Sequence, residues 1–247
     1  AAHGFYLPGS VMTTVSYSSA QARSTAFHAW YLNGASSNTF TVVLASNPAG
    51  HGVYLNANSN GNMIALSSMT SSGSYYYALW LAGASSNTVI GSRMNAVIGH
   101  GVWLDPGSNY NTISQSTIVA GGNTAYALSL EGAAWNSVTG TRITGLAGEG
   151  IAFGPYGTAA DHNTVSQSTI VSNNVGDGAV YMLGSASNTV TGSYLQNLVG
   201  YGAYLDTGSN YNTISQSTMV AASASYMALY LGGSVGNTVT GSYIMNQ

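Results

Sequence analysis

The sequence predicts an all-β protein: a right-handed parallel β-helix, or β-solenoid, of about ten coils. Each coil has 24–25 residues and three short strands. Three observations predict this fold. An asparagine recurs at an almost fixed interval, apolar residues form columns when the chain is aligned on it, and apolar and polar residues alternate within short segments. A fixed period of this length is typical of solenoids, and period-two alternation is typical of strands. No 3.6-residue periodicity indicates a helix, which disfavours leucine-rich repeats. The handedness follows the general preference of parallel crossover connections.

The asparagine column defines the repeat. Thr13 holds its first position, and the asparagines are Asn38, Asn62, Asn87, Asn111, Asn136, Asn163, Asn188, Asn212 and Asn237. Successive spacings are 25, 24, 25, 24, 25, 27, 25, 24 and 25 residues. This alternation predicts one domain, residues 1–247, made of five two-coil repeats of 49 residues, with three extra residues within 154–163. Because stacked asparagine amides hydrogen-bond one another, we expect a structural ladder at a coil corner.

The first strand of each coil has the form G-A-Y-L. Two apolar columns in it, such as Val53 and Leu55, are predicted to face inward. The position between them is aromatic in most coils, at Tyr6, Tyr31, Tyr54, Trp80, Trp103, Tyr181, Tyr204 and Tyr230, with an interruption at Ser129 and Ala152. Alternation predicts that these rings face outward, beside an outward column of Gly and Ala. An exposed aromatic stripe of this length is either a self-stacking ladder or a contact face for another copy or a glycan.

The second and third strands have the forms N-T-I-S and S-T-M-V, and Gly-, Ser- and Asn-rich corners such as D-T-G-S-N-Y (206–211) join the segments. Thr and Ser flank the inward residue of the second strand, as in Thr189 and Thr191. This array resembles the faces of ice-binding β-solenoids, although Met63, Ala65 and Ile90 interrupt it.

The runs N-T-I-S-x-S-T-I and G-x-Y-L resemble the right-handed parallel β-helix repeats of bacterial and archaeal surface proteins and of the pectate-lyase-like superfamily. The resemblance covers the whole chain. It implies the fold and leaves the function open, because the family includes polysaccharide lyases and hydrolases, adhesins and structural surface arrays.

Composition excludes several classes of function. Arg23, Arg93 and Arg142 are the only basic residues other than histidine, and there is no lysine, so a phosphate-binding surface is absent and nucleic acid is excluded as a partner. There is no cysteine, which excludes thiolate metal sites and disulfides. No apolar segment approaches the roughly 20 residues that span a bilayer. The sequence predicts neither a cofactor nor a metal.

Three groups of residues are candidates for chemistry. Asp105 and Glu131 directly follow the first strands of adjacent coils, so they form a candidate catalytic pair or calcium site; alternatively, Asp105 opens a turn. His3, His28, His51 and His100 share one column, which fits either a metal site or an aromatic stack. The insertion within 154–163 is either a recognition loop or a tolerated length variant.

We therefore expect an extracellular or cell-surface structural β-solenoid without catalytic activity, forming a segment or subunit of a surface fibre, filament or adhesin. A carbohydrate-binding or carbohydrate-cleaving β-helix is the alternative, and an ice-binding protein is a third reading. The expected partner is the protein itself, through head-to-tail stacking, continuation in a longer repeat chain, or lateral packing; glycans are a second candidate. The uncapped coils and the 4% of charged residues motivate the expectation of stacking.

Overall fold

A computed structural model describes residues 2–247. In this range the chain contains thirty strands in three parallel sheets and no helix. Each coil contributes one strand to each sheet, and each sheet orders its ten strands by coil number. The winding is right-handed, so the fold is the predicted parallel β-helix. We number the coils 1–10 along the chain and call the sheets 1, 2 and 3 in the order in which each coil visits them.

The strands are short, with three to six residues each. Sheet 1 contains Phe5–Pro8, Trp30–Asn33, Val53–Asn56, Tyr77–Ala82, His100–Leu104, Leu128–Leu130, Ile151–Phe153, Gly178–Met182, Tyr201–Leu205 and Leu229–Leu231. Sheet 2 contains Thr14–Ser16, Thr39–Thr41, Met63–Ala65, Thr88–Ile90, Thr112–Ser114, Ser137–Thr139, Thr164–Ser166, Thr189–Thr191, Thr213–Ser215 and Thr238–Thr240. Sheet 3 contains Ser19–Gln21, Leu44–Asn47, Ser68–Ser71, Arg93–Ala96, Thr117–Ala120, Arg142–Gly145, Thr169–Ser172, Tyr194–Asn197, Thr218–Ala221 and Tyr243–Asn246.

One continuous apolar core lies inside the coils. In coil 3, for example, Leu55 of sheet 1, Ile64 of sheet 2 and Met69 of sheet 3 are all buried. Neighbouring coils pair in register, so each apolar side chain packs on the equivalent residue of the next coil, as Val89 does on Ile113. The predicted inward columns therefore form the core, and each coil depends on its neighbours for burial.

The asparagine column lies at the first corner, between sheets 1 and 2. The Oδ1 atom of each of the nine asparagines accepts the backbone N–H of the corresponding residue in the preceding coil, beginning with Thr13 N to Asn38 Oδ1. At Asn111 the Oδ1 atom accepts both the backbone N–H of Asn87 at 2.8 Å and its side-chain amide at 3.1 Å. Asn111 Nδ2 also donates to the Ala84 carbonyl at 3.0 Å. The buried amides thus satisfy backbone groups that would otherwise be unpaired.

A second polar ladder runs along the corner between sheets 2 and 3. The backbone N–H of Ser67 donates to Ser92 Oγ at 3.0 Å, and that of Ser92 donates to Ser116 Oγ at 3.1 Å. Each hydroxyl in turn donates to the carbonyl two residues before it, as Ser92 Oγ does to Ile90. Hydroxyl groups therefore complete the hydrogen bonding of a second buried corner.

The Gly and Ala column beside the aromatic stripe was predicted to face outward, and this prediction is wrong. Ala29, Ala78 and Ala127 are fully buried. A Cβ atom added to Gly52 would lie 2.6 Å from the carbonyl oxygen of Ala78. Where this position lies inside a strand, as at Ala78 and Gly101, the strand pairing skips it, so strict alternation does not extend to it. Only small residues fit between the backbones of adjacent coils.

The third corner, which connects sheet 3 to sheet 1 of the next coil, alternates between two lengths. Counted between the aligned last position of sheet 3 and the column that contains His28, His51 and His100, five-residue corners (23–27, 72–76, 121–125, 173–177 and 222–226) alternate with three-residue corners (48–50, 97–99, 146–148 and 198–200). Each short corner ends in a buried glycine: Gly50, Gly99, Gly148 and Gly200. A Cβ atom at Gly50 would lie 2.6 Å from the Ser24 carbonyl oxygen, so the preceding long corner leans over it. The corner pattern has a period of two coils.

Candidate functional site

The predicted aromatic stripe lies on sheet 1. The strand register places Tyr6, Tyr31, Tyr54 and Trp80 in one column. Their successive ring centroids are 5.2, 5.2 and 4.2 Å apart, and the angles between ring planes are 18°, 6° and 14°. The rings therefore turn their faces towards one another along the solenoid and present mainly their edges to solvent. Tyr181, Tyr204 and Tyr230 extend the column in coils 8–10 at 5.4 and 5.1 Å, with more tilted rings.

The stripe is less exposed than alternation predicts. Tyr6 is 47% and Tyr230 is 37% exposed, but Trp103 is only 6% exposed. The prediction that Trp103 is part of an exposed face is therefore wrong. The reason is a second layer of rings, from a neighbouring column, which packs against the first.

This second column contains His3, His28, His51, Tyr77, His100 and Tyr126. The ring of His51 lies 4.8 Å from that of Trp80, and the ring of Tyr77 lies 5.2 Å from that of Trp103, so each ring contacts the stripe residue of the next coil. Of the two hypotheses for the histidines, this geometry favours the aromatic stack.

Hydrogen bonding fixes the histidine tautomers. The Nδ1 atoms of His3, His51 and His100 each accept a backbone N–H from the next coil at 3.0 Å. Burial lowers the pKa of His28 to about 4 and that of His51 to about 3, with a neighbouring histidine adding to each shift, and burial alone lowers the pKa of His100 to about 4. These imidazoles are neutral, with the proton on Nε2 wherever Nδ1 is an acceptor. Nowhere in residues 2–247 do three or more His, Asp or Glu side chains form a group that could hold a metal ion.

The insertion supplies the ring that coils 6 and 7 lack. Ser129 and Ala152 occupy the stripe positions there and are fully buried. The ring of Tyr156, from the insertion, stacks on Trp103 with centroids 5.6 Å apart and lies 6.2 Å from Tyr126. The aromatic layer therefore continues over the two small residues.

The predicted carboxylate pair is bound to the protein's own groups. Asp105 accepts the indole N–H of Trp80 at 2.7 Å and that of Trp103 at 2.8 Å, one on each oxygen. Glu131 accepts the backbone N–H groups of Tyr156 and Thr158 at 3.0 and 2.9 Å, again one on each oxygen. Asp105 therefore fixes two tryptophans, and the buried Glu131 fixes the insertion. Burial raises the pKa of Asp105, while the two indole donors oppose the shift.

A second carboxylate pair, Glu149 and Asp177, lies next to Tyr126 and Tyr181, and the sequence did not single it out. Glu149 is 6% exposed, and its Oε2 atom is buried without a hydrogen-bond partner among the described residues. Asn174 Nδ2 donates to Asp177 Oδ2 at 2.9 Å. Burial, together with the facing Asp177 carboxylate, raises the pKa of Glu149 to about 7. Glu149 occupies a position of the histidine column. An acidic residue in a column of mostly aromatic residues was the sequence signal that could have identified this pair.

Another aromatic stack missed by the sequence lies outside, on the first corner. Trp135 stacks on His162 at 4.2 Å and on Tyr110 at 6.3 Å, with planes within 14° in both pairs. Each residue directly precedes a ladder asparagine and has a positive φ, between 58° and 60°. Such bulky residues rarely adopt this conformation, so the corner geometry and stacking impose it.

The Thr and Ser array lies on the outer face of sheet 2. Neighbouring hydroxyls hydrogen-bond within it: Thr139 with Ser166 at 3.0 Å, and Ser215 with Thr191 at 2.9 Å. Met63 and Ala65 interrupt both outward files in coil 3. The regular hydroxyl surface is therefore divided.

Comparison with solved structures shows similarity in fold. Over 94% of this chain and 53% of the other, the Dettilon tailspike protein matches with a TM-score of 0.72 and 13% sequence identity. The A-module of the Azotobacter vinelandii mannuronan C-5 epimerase AlgE6 matches over 94% and 58%, with a TM-score of 0.48 and 14% identity. The chain thus spans about half the length of these two chains. No curated protein sequence matches it significantly.

Residues 123–247 match the family model described as periplasmic copper-binding protein (NosD). Copper sites use His, Met and Cys ligands. In the matched range the chain has one histidine, His162, which stacks on Trp135, no cysteine, and four methionines, of which Met182 and Met219 are fully buried. These residues do not fit a copper centre.

The family model described as right-handed beta helix region matches residues 3–176, which is more than half of the chain. Its span covers the first stretch of the aromatic stripe and most of the asparagine ladder. Both family models match the chain, and the parallel three-sheet architecture agrees with the description of this model. The chain therefore belongs to the right-handed β-helix family.

Proposed function

We propose that this protein is a non-catalytic β-solenoid rod, extracellular or displayed on a cell surface, with a structural or adhesive role. The observation that carries the proposal is that the two carboxylates predicted as a catalytic pair are both bound by the protein's own groups. All four oxygens of Asp105 and Glu131 accept hydrogen bonds from the protein itself. Catalytic carboxylates need an open approach to the substrate.

The aromatic stripe also supports a structural role, because its ring faces already contact one another. Sugars bind aromatic side chains through the flat ring faces, whereas the faces of Tyr31, Tyr54 and Trp80 stack on one another. The stripe therefore stiffens sheet 1. What it presents outward is a row of ring edges and phenol hydroxyls, which suits adhesive contacts made by hydrogen bonds.

Location outside the cytoplasm is supported by composition and by the comparisons. The chain has many Ser, Thr, Asn and Gly residues and few charges. One matching family model describes a periplasmic protein, and the structure with a TM-score of 0.72 is a tailspike. In the described range no helix has both the length and the apolarity needed to cross a bilayer.

Incubation with neutral and uronate-containing polysaccharides tests the proposal. New reducing ends and unsaturated products are measured over time, and the Glu149→Gln variant serves as the matched control, because Glu149 is the acidic residue left with an unpartnered oxygen. We expect no product from either protein. Product formed by the wild-type protein and lost in Glu149→Gln would refute the non-catalytic role and establish the carbohydrate-cleaving alternative.

A further inference from the structure

Along the rod the third corners form one edge, on which long and short corners alternate. We call it the toothed edge and its long corners the teeth. In each long corner the tip is exposed, as at Tyr75 (83%) and Val175 (67%). Between successive long corners, the short corners extend less far from the rod and leave gaps, which we call notches. One notch has a volume of about 390 Å³, with Val97 and Ile98 as its floor and residues 74–75 and 121–125 as its two walls.

The notch floors are apolar and exposed at three successive short corners, 97–99, 146–148 and 198–200. Val97 and Ile98 are 52% and 50% exposed, Leu146 is 55% exposed, and Leu198 and Val199 are 41% and 40% exposed. Isolated exposed aliphatic residues are ordinary, but aliphatic residues repeated at the same place of every second coil indicate a contact surface.

Hydrogen bonds from asparagine side chains hold two of the five long corners in place, 23–27 and 173–177. Asn47 Nδ2 donates to the Ser24 and Phe27 carbonyls at 3.1 and 2.6 Å, and Asn197 Nδ2 donates to the Asn174 and Asp177 carbonyls at 2.8 Å each. Both asparagines stand at the ends of sheet 3 strands and bind the long corner of the preceding coil. Because these corners are already ordered, little conformational entropy is lost when a partner binds them.

The edge carries almost no charge. Among the corner residues, only Arg23 and Asp177 are charged. A charged partner would therefore find no complementary groups, whereas an uncharged partner would bury no ion and meet no charge repulsion.

We infer that the toothed edge binds the same edge of a second copy of this chain, with the long corners of each copy seated in the notches of the other. Teeth and notches alternate every two coils, about 9.6 Å, and a second copy has the same period. It also offers the matching chemistry, since its exposed Tyr75 is an aromatic group for a floor of branched aliphatic residues. A two-fold axis would make both halves of this contact equivalent and would close the pair as a dimer. The notch borders the aromatic layer, since His100 and Tyr156 also line it, but the pairing requires neither an adhesive role nor the absence of catalysis, so the dimer does not depend on the proposed function.

Sedimentation velocity over a concentration series tests the pairing with the full 247-residue chain. We expect a reversible dimer whose dissociation constant rises about tenfold or more in Ile98→Asp, because a charge would be buried in the apolar contact. Leu66→Asp is the matched control: Leu66 is 63% exposed on another corner, and its φ of 51° suits aspartate, so the dimer should be unchanged.

Cross-linking locates the contact. The chain has no cysteine, so single-cysteine variants can be mixed without background. Ser74→Cys, on a tooth, should form a disulfide with Ile98→Cys, on a notch floor, and not with Leu66→Cys. A monomer at all concentrations, a dimer unaffected by Ile98→Asp, or equal cross-linking to Leu66→Cys would overturn the inference.

Discussion

Replacing Glu149 by glutamine should change how stability depends on pH. Glu149 has a pKa of about 7 in the folded protein, raised from 4.5 by burial and by Asp177. A raised folded-state pKa means that the folded protein binds more protons than the unfolded chain between these values. The stabilisation from protonated Glu149 is therefore complete below about pH 4.5 and is lost as the pH rises through about 7.

The size of the effect follows from the pKa shift. A rise of the pKa from 4.5 to about 7 corresponds to about 3 kcal/mol, most of which falls between pH 5 and pH 8. Glutamine does not titrate. The free energy of unfolding of Glu149→Gln, minus that of the wild type, should therefore increase by about 2–3 kcal/mol over this range. The histidines also titrate here, but they are present in both proteins and cancel in the difference.

Urea denaturation at half-unit pH intervals, followed by tryptophan fluorescence, measures this difference. Asp206→Asn, which removes a negative charge from the same sheet without touching the buried pair, is the control for a general charge effect. A difference between Glu149→Gln and the wild type that stays constant within about 0.5 kcal/mol, or an equal slope in Asp206→Asn, would show that the protonated pair does not stabilise the fold.

Four further outcomes are expected. Asn111→Ala should lower the free energy of unfolding by about 1–3 kcal/mol, because it leaves the buried amide of Asn87 and the Ala84 carbonyl unpaired; an unchanged melting temperature would contradict this, and the exposed Asn123→Ala is the control. Asp105→Ala should cost about 1–3 kcal/mol by removing the acceptor of two indole N–H groups, and Asp105→Asn, which keeps one acceptor oxygen, should cost less. The wild-type protein should lose stability as the pH falls from 6.5 towards 4, because burial lowers the pKa of the column histidines and the unfolded chain takes up protons first; His51→Gln should reduce that loss in an acid titration followed by circular dichroism. Chelator treatment should leave the melting temperature unchanged, and a clear decrease would revive a metal site at the histidine column or at Asp105 and Glu131.

The fold could be predicted from the sequence because each coil repeats the same local solution. Every inward position, such as Val89 or Ile113, stacks on its equivalent in the next coil. Each column of the repeat alignment therefore corresponds to one row of side chains in the core. Burial at the third corner could not be predicted in this way. At Ala78 and Gly101 the strand pairing is interrupted, so side-chain direction there does not follow alternation.

The candidate site was harder to predict because its residues contact partners at different separations along the chain, in different coils. Tyr156 reaches Trp103 from 53 positions further along the chain, so an insertion in one coil completes a stack begun two coils earlier. The roles of Asp105 and Glu131 likewise depend on which N–H groups point at them. A column alignment assigns a residue to a position, but not the neighbour that will bind it. The expected stacking of subunits end to end stays a prediction, and the same sedimentation series will distinguish it by species larger than a dimer.

The asparagine ladder gives the rod a direction. Each Oδ1 atom accepts the backbone N–H of the preceding coil, from Thr13 to Asn237, and side-chain amides such as that of Asn111 donate to a carbonyl of that same preceding coil. The asparagine side chains thus bind mainly to the coil before them. The two ends of the rod are therefore not equivalent, even though its coils are nearly identical in sequence. In a two-fold pair whose axis is perpendicular to the rods, the two rods run antiparallel and a tooth can face a notch, whereas an axis parallel to the rods would place tooth opposite tooth; the toothed edge therefore selects the antiparallel pair.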